Sequence, residues 1–264
     1  MLWLPAYALA GAIVGFLAGL LGIGGGMTLV PILSALFVAQ MLTPDHSVHL
    51  ALGTAMASIV FTSSASVREH HRHGAVDWTI VKRMVPGMLL GALLSTVASG
   101  WIPQRTLALA FATIVFAGAT QILLNRKPAA HASMPGAPVV FGVGTLIGVI
   151  SGLVSAGGTF LTVPFMLYGG VRMHTAIGTG AAIGIPVAII GTIGFIVSGW
   201  RVESLPAWSL GFVYLPALAL LVAGSIVTAP MGARAAHKLP VATLRRVFAC
   251  LLYVLALKMV ITYW

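Results

Sequence analysis

Residues 11–31 read GAIVGFLAGLLGIGGGMTLVP, and residues 144–164 read GTLIGVISGLVSAGGTFLTVP, an ungapped match at a constant offset of 133 positions. Eight positions are identical: Gly11/Gly144, Gly15/Gly148, Gly19/Gly152, Leu20/Leu153, Gly24/Gly157, Gly25/Gly158, Val30/Val163 and Pro31/Pro164. Composition alone would give roughly two, so the chain reads as two duplicated halves.

Composition says where those halves live. Hydrophobic residues make up 59% of the chain, charged residues 7%, and the mean hydropathy is +1.06. A soluble domain carries about 25% charged residues, so an integral membrane protein is expected, with the lipid bilayer as its main partner. The first twenty residues hold no Lys or Arg and no small-residue cleavage site follows, which reads as a retained helix. The single Cys250 lies in an apolar run and is expected to pack there. The net charge of +10 sits in short connections between apolar runs, where membrane orientation explains it better than nucleic acid does.

Apolar runs measured against the roughly 20 residues that cross a bilayer give five segments per half. They fall at about 6–22, 27–40, 47–67, 79–101 and 104–124, and again at about 138–155, 159–170, 174–199, 207–231 and 240–262. His49-Leu-Ala-Leu-Gly-Thr54 matches His174-Thr-Ala-Ile-Gly-Thr179, so the repeat extends past the glycine runs. The expected organisation is a first transmembrane repeat over 1–125, a linker over 126–137 and a second repeat over 138–264.

Basic residues then relate the halves. Arg68, Arg72, Lys82 and Arg83 follow the third segment of the first half, whereas Arg234, Lys238, Arg245 and Arg246 follow the fourth segment of the second. An odd number of crossings per half gathers both clusters, Arg126, Lys127 and Arg172 on one face; an even number scatters them. The expected fold is therefore an all-α integral membrane protein of two inverted-topology repeats, each a Gly-broken pair of short helices plus three full spans. Three plus three spans with re-entrant hairpins and five plus five spans have the same parity and both stay open. The basic face is expected to be cytoplasmic and both termini periplasmic.

The glycine runs are the candidate site. Helices cannot continue through Gly22-Ile-Gly-Gly-Gly26 or Ser155-Ala-Gly-Gly-Thr159, and lipid cannot satisfy the exposed amides, so each break must face protein or water. The segments that start near Met27 and Phe160 present helix N-termini that favour an anion, and glycine lets it approach the backbone. Gly24, Gly25, Gly26, Met27, Thr28, Gly157, Gly158, Thr159 and Phe160 are the expected lining, with Thr54 and Thr179 from the following spans. Gly11, Gly15 and Gly19, with their copies, read as close-packing ladders. Thr54, Ser58 and Thr62 recur every four residues and either line a polar path or bond back to their own helix.

Several chemistries are set aside. No Gly-Lys-Ser or Gly-Lys-Thr follows the glycine run, so neither nucleotide nor any other cofactor is expected. The four acidic residues, Asp45, Glu69, Asp77 and Glu203, all map to connections, which disfavours a carrier that binds cations on a buried carboxylate. His49 and His174, at matching span starts, are candidates for gating or proton coupling. The basic run around His70, His71 and His73 lacks the complement of a metal site. No nucleophile or carboxylate pair lies in a span, so an enzyme is not expected. All six tryptophans fall near span ends, as an aromatic belt requires.

GLLGIGGGMTLVPIL followed by HLALGTA, with GLVSAGGTFLTVPF followed by HTAIGTG, resembles the TauE/SafE sulfite exporter family, also called the 4-toluene sulfonate uptake permeases. The resemblance spans both halves. It implies secondary transport, by alternating access across the bacterial inner membrane, of small sulfur-containing anions such as sulfite, thiosulfate, sulfoacetate or other organosulfonates. An anion channel is the alternative reading. The second copy departs from the first, with Ser155-Ala-Gly-Gly-Thr where the first has Gly-Ile-Gly-Gly-Gly.

Overall fold

A computed structural model describes residues 3–21, 25–124, 133–156, 159–236 and 241–264. Gly24, Gly157, Gly158, most of the expected linker, and Lys238 lie outside the described residues.

The chain is an all-α membrane protein. Its described helices are α1 (Leu4–Leu21), α2 (Gly26–Ala39), α3 (Ser47–Arg72), α4 (Trp78–Ser99), α5 (Gln104–Leu124), α6 (Ala137–Val154), α7 (Thr159–Tyr168), α8 (Met173–Gly199), α9 (Leu215–Ala236) and α10 (Val241–Tyr263). Seven of them are long and apolar enough to cross a membrane, while α1, α2 and α7 fall outside that group. Helices dominate because a segment in lipid must satisfy its own backbone polar groups. The tryptophans at 3, 78, 101, 200, 208 and 264 are exposed near helix ends, as an interfacial belt requires.

Three expectations need correction. The segment expected at 207–231 opens with a hairpin, β1 (Ser209–Leu210) and β2 (Val213–Tyr214), paired antiparallel with Ser209 opposite Tyr214. Gly211 takes φ +52 at the first position of the two-residue turn, where its missing side chain lets it lie on the Ile196 backbone. The helix starts only at Leu215, with Pro216 in its first turn, where a proline costs no hydrogen bond. Next, α3 runs on to Arg72, so Glu69 belongs to its last turn and not to a connection; the helix ends at Gly74, φ +64, as a left-handed C-terminal cap demands. Finally, Cys250 is exposed on α10 and is not packed within the protein.

Small residues set the helix pairings. A Cβ on Gly11 or Gly15 of α1 would run into Leu221 and Ser225 of α9, and one on Gly224 of α9 would meet Ala8 and Ala12. A Cβ on Gly144, Gly148 or Gly152 of α6 would meet Met84, Met88 and Ser95 of α4, and Gly87 and Gly91 reciprocate against Phe141 and Thr145. In both pairs residue numbers rise together, so the helices run parallel. The equivalent helices α3 and α8 pack antiparallel: Gly53 lies beside Phe195, Gly191 beside Met56, and Gly178 beside His70 and Ala75. The first helix of each half thus packs on the fourth helix of the other, while α2 packs on α3 and α7 on α8.

The ladders carry a direct expectation. Gly148→Leu, aimed at the Met88 backbone, lowers unfolding stability in detergent by about 1–3 kcal/mol or abolishes monodisperse protein. Gly142→Leu, where a side chain meets nothing within 4 Å, stays within about 0.5 kcal/mol of wild type in the same thermal unfolding assay.

Candidate functional site

The two glycine breaks are the tips of two helical hairpins. In the first, α1 leaves one end of the bundle and α2 returns to it. Near the open ends the Gln40 amide donates to the Tyr7 hydroxyl at 2.6 Å, and the Tyr7 and Phe37 rings lie 6.1 Å apart. In the second, α6 and α7 open at the other end, where Gly169 lies against Met134. The end of α10 lies where α3 begins: Tyr263 shares hydrogen bonds with Ser34 and Ser47, and Arg105 sits 5.5 Å over the Trp264 ring.

The tips touch. The Gly26 Cα faces the carbonyl oxygen of Ser155 so closely that no side chain fits between them. Ser155 stands in the left-handed region at φ 49 and donates its hydroxyl to the Leu52 carbonyl of α3 at 2.8 Å. The Ala156 amide closes the end of α6 on Ser151 O at 3.1 Å. Gly25, Gly26, Met27 and Thr28 on one side and Thr159 and Phe160 on the other are all buried. Phe160 packs on Gly118 of α5, and Thr159 on Gly180 of α8. Gly24, Gly157 and Gly158, the remaining expected lining residues, lie outside the described residues.

Each tip offers donors and acceptors together. The starts of α2 and α7 present the positive end of a helix dipole, and at the first tip the Thr28 and Leu29 amides both donate to Gly25 O, at 3.2 Å and 2.9 Å. Pro31 and Pro164, at equivalent places inside α2 and α7, remove the amides that would bond the carbonyls of Met27 and Phe160. The Thr28 hydroxyl donates to Gly25 O at 2.8 Å, so its proton is spent on the break and its lone pairs remain.

Thr54 and Thr179 each make a hydrogen bond between elements. The Thr54 hydroxyl accepts the Tyr214 amide at 3.0 Å, at the entrance to α9. The Thr179 hydroxyl accepts the Asp77 amide at 2.9 Å, at the N-cap of α4, whose carboxylate in turn accepts the Thr79 and Ile80 amides. Each threonine therefore ties its span to the start of the other half's fourth helix. Ser58 and Thr62 donate back to carbonyls of α3, at 2.8 Å and 3.3 Å. Their oxygens still line a cavity of about 10 Å³ that adjoins Gly25, together with Ser225 of α9, a residue that no sequence motif marks. That volume is about one water molecule.

The two histidines part company. His49 is 2% exposed and its Nε2 lies 3.0 Å from Ser99 O and 3.1 Å from Ile102 O. His174, in the first turn of α8, is exposed.

Residues 7–259 match the family model described as "Sulfite exporter TauE/SafE". A "Probable membrane transporter protein" of Haemophilus influenzae is 38% identical over 254 residues, covering 95% of this chain and 96% of that one. The "Probable membrane transporter protein YdhB" of Bacillus subtilis is 25% identical over 242 residues, covering 88% and 90%, and a counterpart from Methanocaldococcus jannaschii, MJ0441, is 23% identical over 264 residues, covering 99% and 97%. No solved structure matches.

The threonine ties are testable one at a time. Thr54→Val and Thr179→Val each strand a partly buried amide, and each lowers stability by about 1 kcal/mol in thermal unfolding, while Thr54→Ser and Thr179→Ser restore most of it.

Proposed function

Because the chain belongs to the sulfite exporter TauE/SafE family and is a multi-pass membrane transporter, we propose that it is a secondary carrier of small sulfur-containing anions, sulfite foremost, with thiosulfate, sulfoacetate and other organosulfonates in the same class. The contact of Gly26 with the Ser155 backbone carries this reading. It brings two helix breaks, each followed by a helix N-terminus with its positive dipole end, to one place inside the protein, where an oxyanion needs hydrogen-bond donors and no carboxylate repels it. Gly24, Gly25, Gly26, Met27, Thr28, Gly157, Gly158, Thr159 and Phe160 would surround the anion, with Thr54 and Thr179 fixing the helices behind them.

The same contact favours a carrier over an anion channel. Tips in direct contact leave no continuous path, so the anion must wait for them to part and is exposed to one side at a time. The antiparallel packing of α3 on α8, together with the exchanged pairings of α1 with α9 and α6 with α4, supports inverted repeats. Arg68, Arg72, Lys82, Arg83 and Arg172 gather at the end where α3 finishes, which supports a cytoplasmic assignment for that end and a periplasmic one for both termini in a bacterial inner membrane.

Flux of labelled sulfite into proteoliposomes should saturate and show counterflow, and Gly26→Ala should abolish it while Gly142→Ala leaves it intact. Large conductance without exchange would identify a channel instead. Binding is read separately: sulfite at 100 times its Kd should raise stability by about 2.7 kcal/mol.

A further inference from the structure

Among the described residues, four buried side-chain polar atoms have no hydrogen-bond partner: Thr43 Oγ1, His46 Nδ1, His49 Nδ1 and Ser209 Oγ. All four fall in two short segments at one end of the bundle, the turn into α3 with that helix's first residues, and strand β1. His46 and His49 flank Phe212, in the turn between β1 and β2, with ring centroids 5.7 Å and 5.0 Å from it. Buried polar groups in native proteins are nearly always paired, so a concentration of orphans points to something the chain binds there.

The ring chemistry says what. His49 Nε2 faces two carbonyl oxygens, which can only accept, so Nε2 carries the hydrogen and Nδ1 of the neutral ring is a bare lone pair. The His46 ring lies 5.5 Å away and its Nδ1 is also unpaired. His46 is the titratable group that faces His49. The turn between α4 and α5 contributes carbonyl oxygens and the hairpin contributes Phe212, while Asp45, next along the chain, is exposed. No third His, Cys, Asp or Glu joins the pair among the described residues, which leaves a metal ion short of ligands.

We propose that His46 and His49 form a proton-binding site, and that the proton taken there is the coupling ion of the carrier, a proposal that rests on the carrier reading above. A proton from water adds to the Nδ1 lone pair of His49, forms an N–H bond and leaves the ring with one positive charge. An imidazolium enclosed by Phe212 and facing no carboxylate is stable only where water or the anionic cargo reaches it. Protonation therefore favours parting of the α3 start from the hairpin and opening of this end. It also offsets one negative charge of the cargo, which lowers the cost of moving that charge across the membrane potential.

Two readouts separate this site from the carrier reading. Hydrogen exchange of the peptides over 40–58 and 205–214 is followed in nanodiscs at about pH 8 and about pH 5.5, with labelling times scaled for intrinsic exchange; labelled sulfite flux is measured at the same external pH values. Wild type should exchange faster in these peptides, and carry sulfite at least about fivefold faster, at the lower pH. His49→Gln keeps a donor for the two carbonyls, and His46→Gln alters a ring whose Nδ1 bonds nothing; both should flatten the two responses. Equal pH responses in wild type and both variants would overturn the proton site whatever the flux. A pH-dependent exchange lost in the variants, with no sulfite flux in wild type, would keep the proton site and overturn the carrier.

Discussion

Every feature of this protein depends on one constraint: a backbone amide or carbonyl at membrane depth must have a partner, and lipid cannot be that partner. The glycine runs break two helices where the chain can least tolerate it. The fold's answer is to bury both breaks against each other, with Gly26 on the Ser155 carbonyl and the Ser155 hydroxyl on Leu52. Pro31 and Pro164 add to each junction a carbonyl, of Met27 and of Phe160, that lacks its usual helical amide partner.

The pairings decide which parts can move together. Glycine ladders clamp α1 to α9 and α6 to α4, with backbones too close for any side chain to intervene. Each clamp joins a hairpin of one half to a span of the other. A rigid-body rearrangement that split the chain at its middle would have to break both ladders, which close packing makes expensive. Packing that keeps both ladders intact groups these helices into two composite units, each drawn from both halves, that meet along the antiparallel seam of α3 and α8. The threonine ties fall within those units, Thr54 joining α3 to the entrance of α9 and Thr179 joining α8 to the start of α4.

Much of this was legible in the sequence because duplication repeats its own punctuation. The offset of 133 aligned both breaks and both following prolines, and the lipid-sized runs located nearly every helix. The misses share a cause: in a chain this apolar, hydropathy stops discriminating. It could not see that Trp208 and Gly211 turn the chain before α9 begins, because Ser209–Tyr214 is as apolar as a span. It also ended α3 where polarity starts, though no glycine interrupts the helix until Gly74. The roles of Thr54 and Thr179 were hidden for another reason. Their partners are the amides of Tyr214 and Asp77, more than a hundred residues away, and a backbone amide leaves no mark in sequence.

The departure between the two copies is where duplication gave way to fit. Position 26 must be glycine because the Ser155 carbonyl occupies the space of its side chain, whereas the equivalent Thr159 has room to pack its methyl on Gly180. Likewise position 155 supplies a hydroxyl to α3 in a left-handed conformation, a bond that the matching Gly22 has no side chain to make. One tip yields space and the other fills it, so the junction cannot be twofold symmetric even if the helices around it are. The histidines follow the same logic: His49 is sealed under Phe212 and His174 stands open. The starts of the antiparallel helices α3 and α8 therefore present different groups at the two ends of the bundle, a buried imidazole at one and an exposed one at the other.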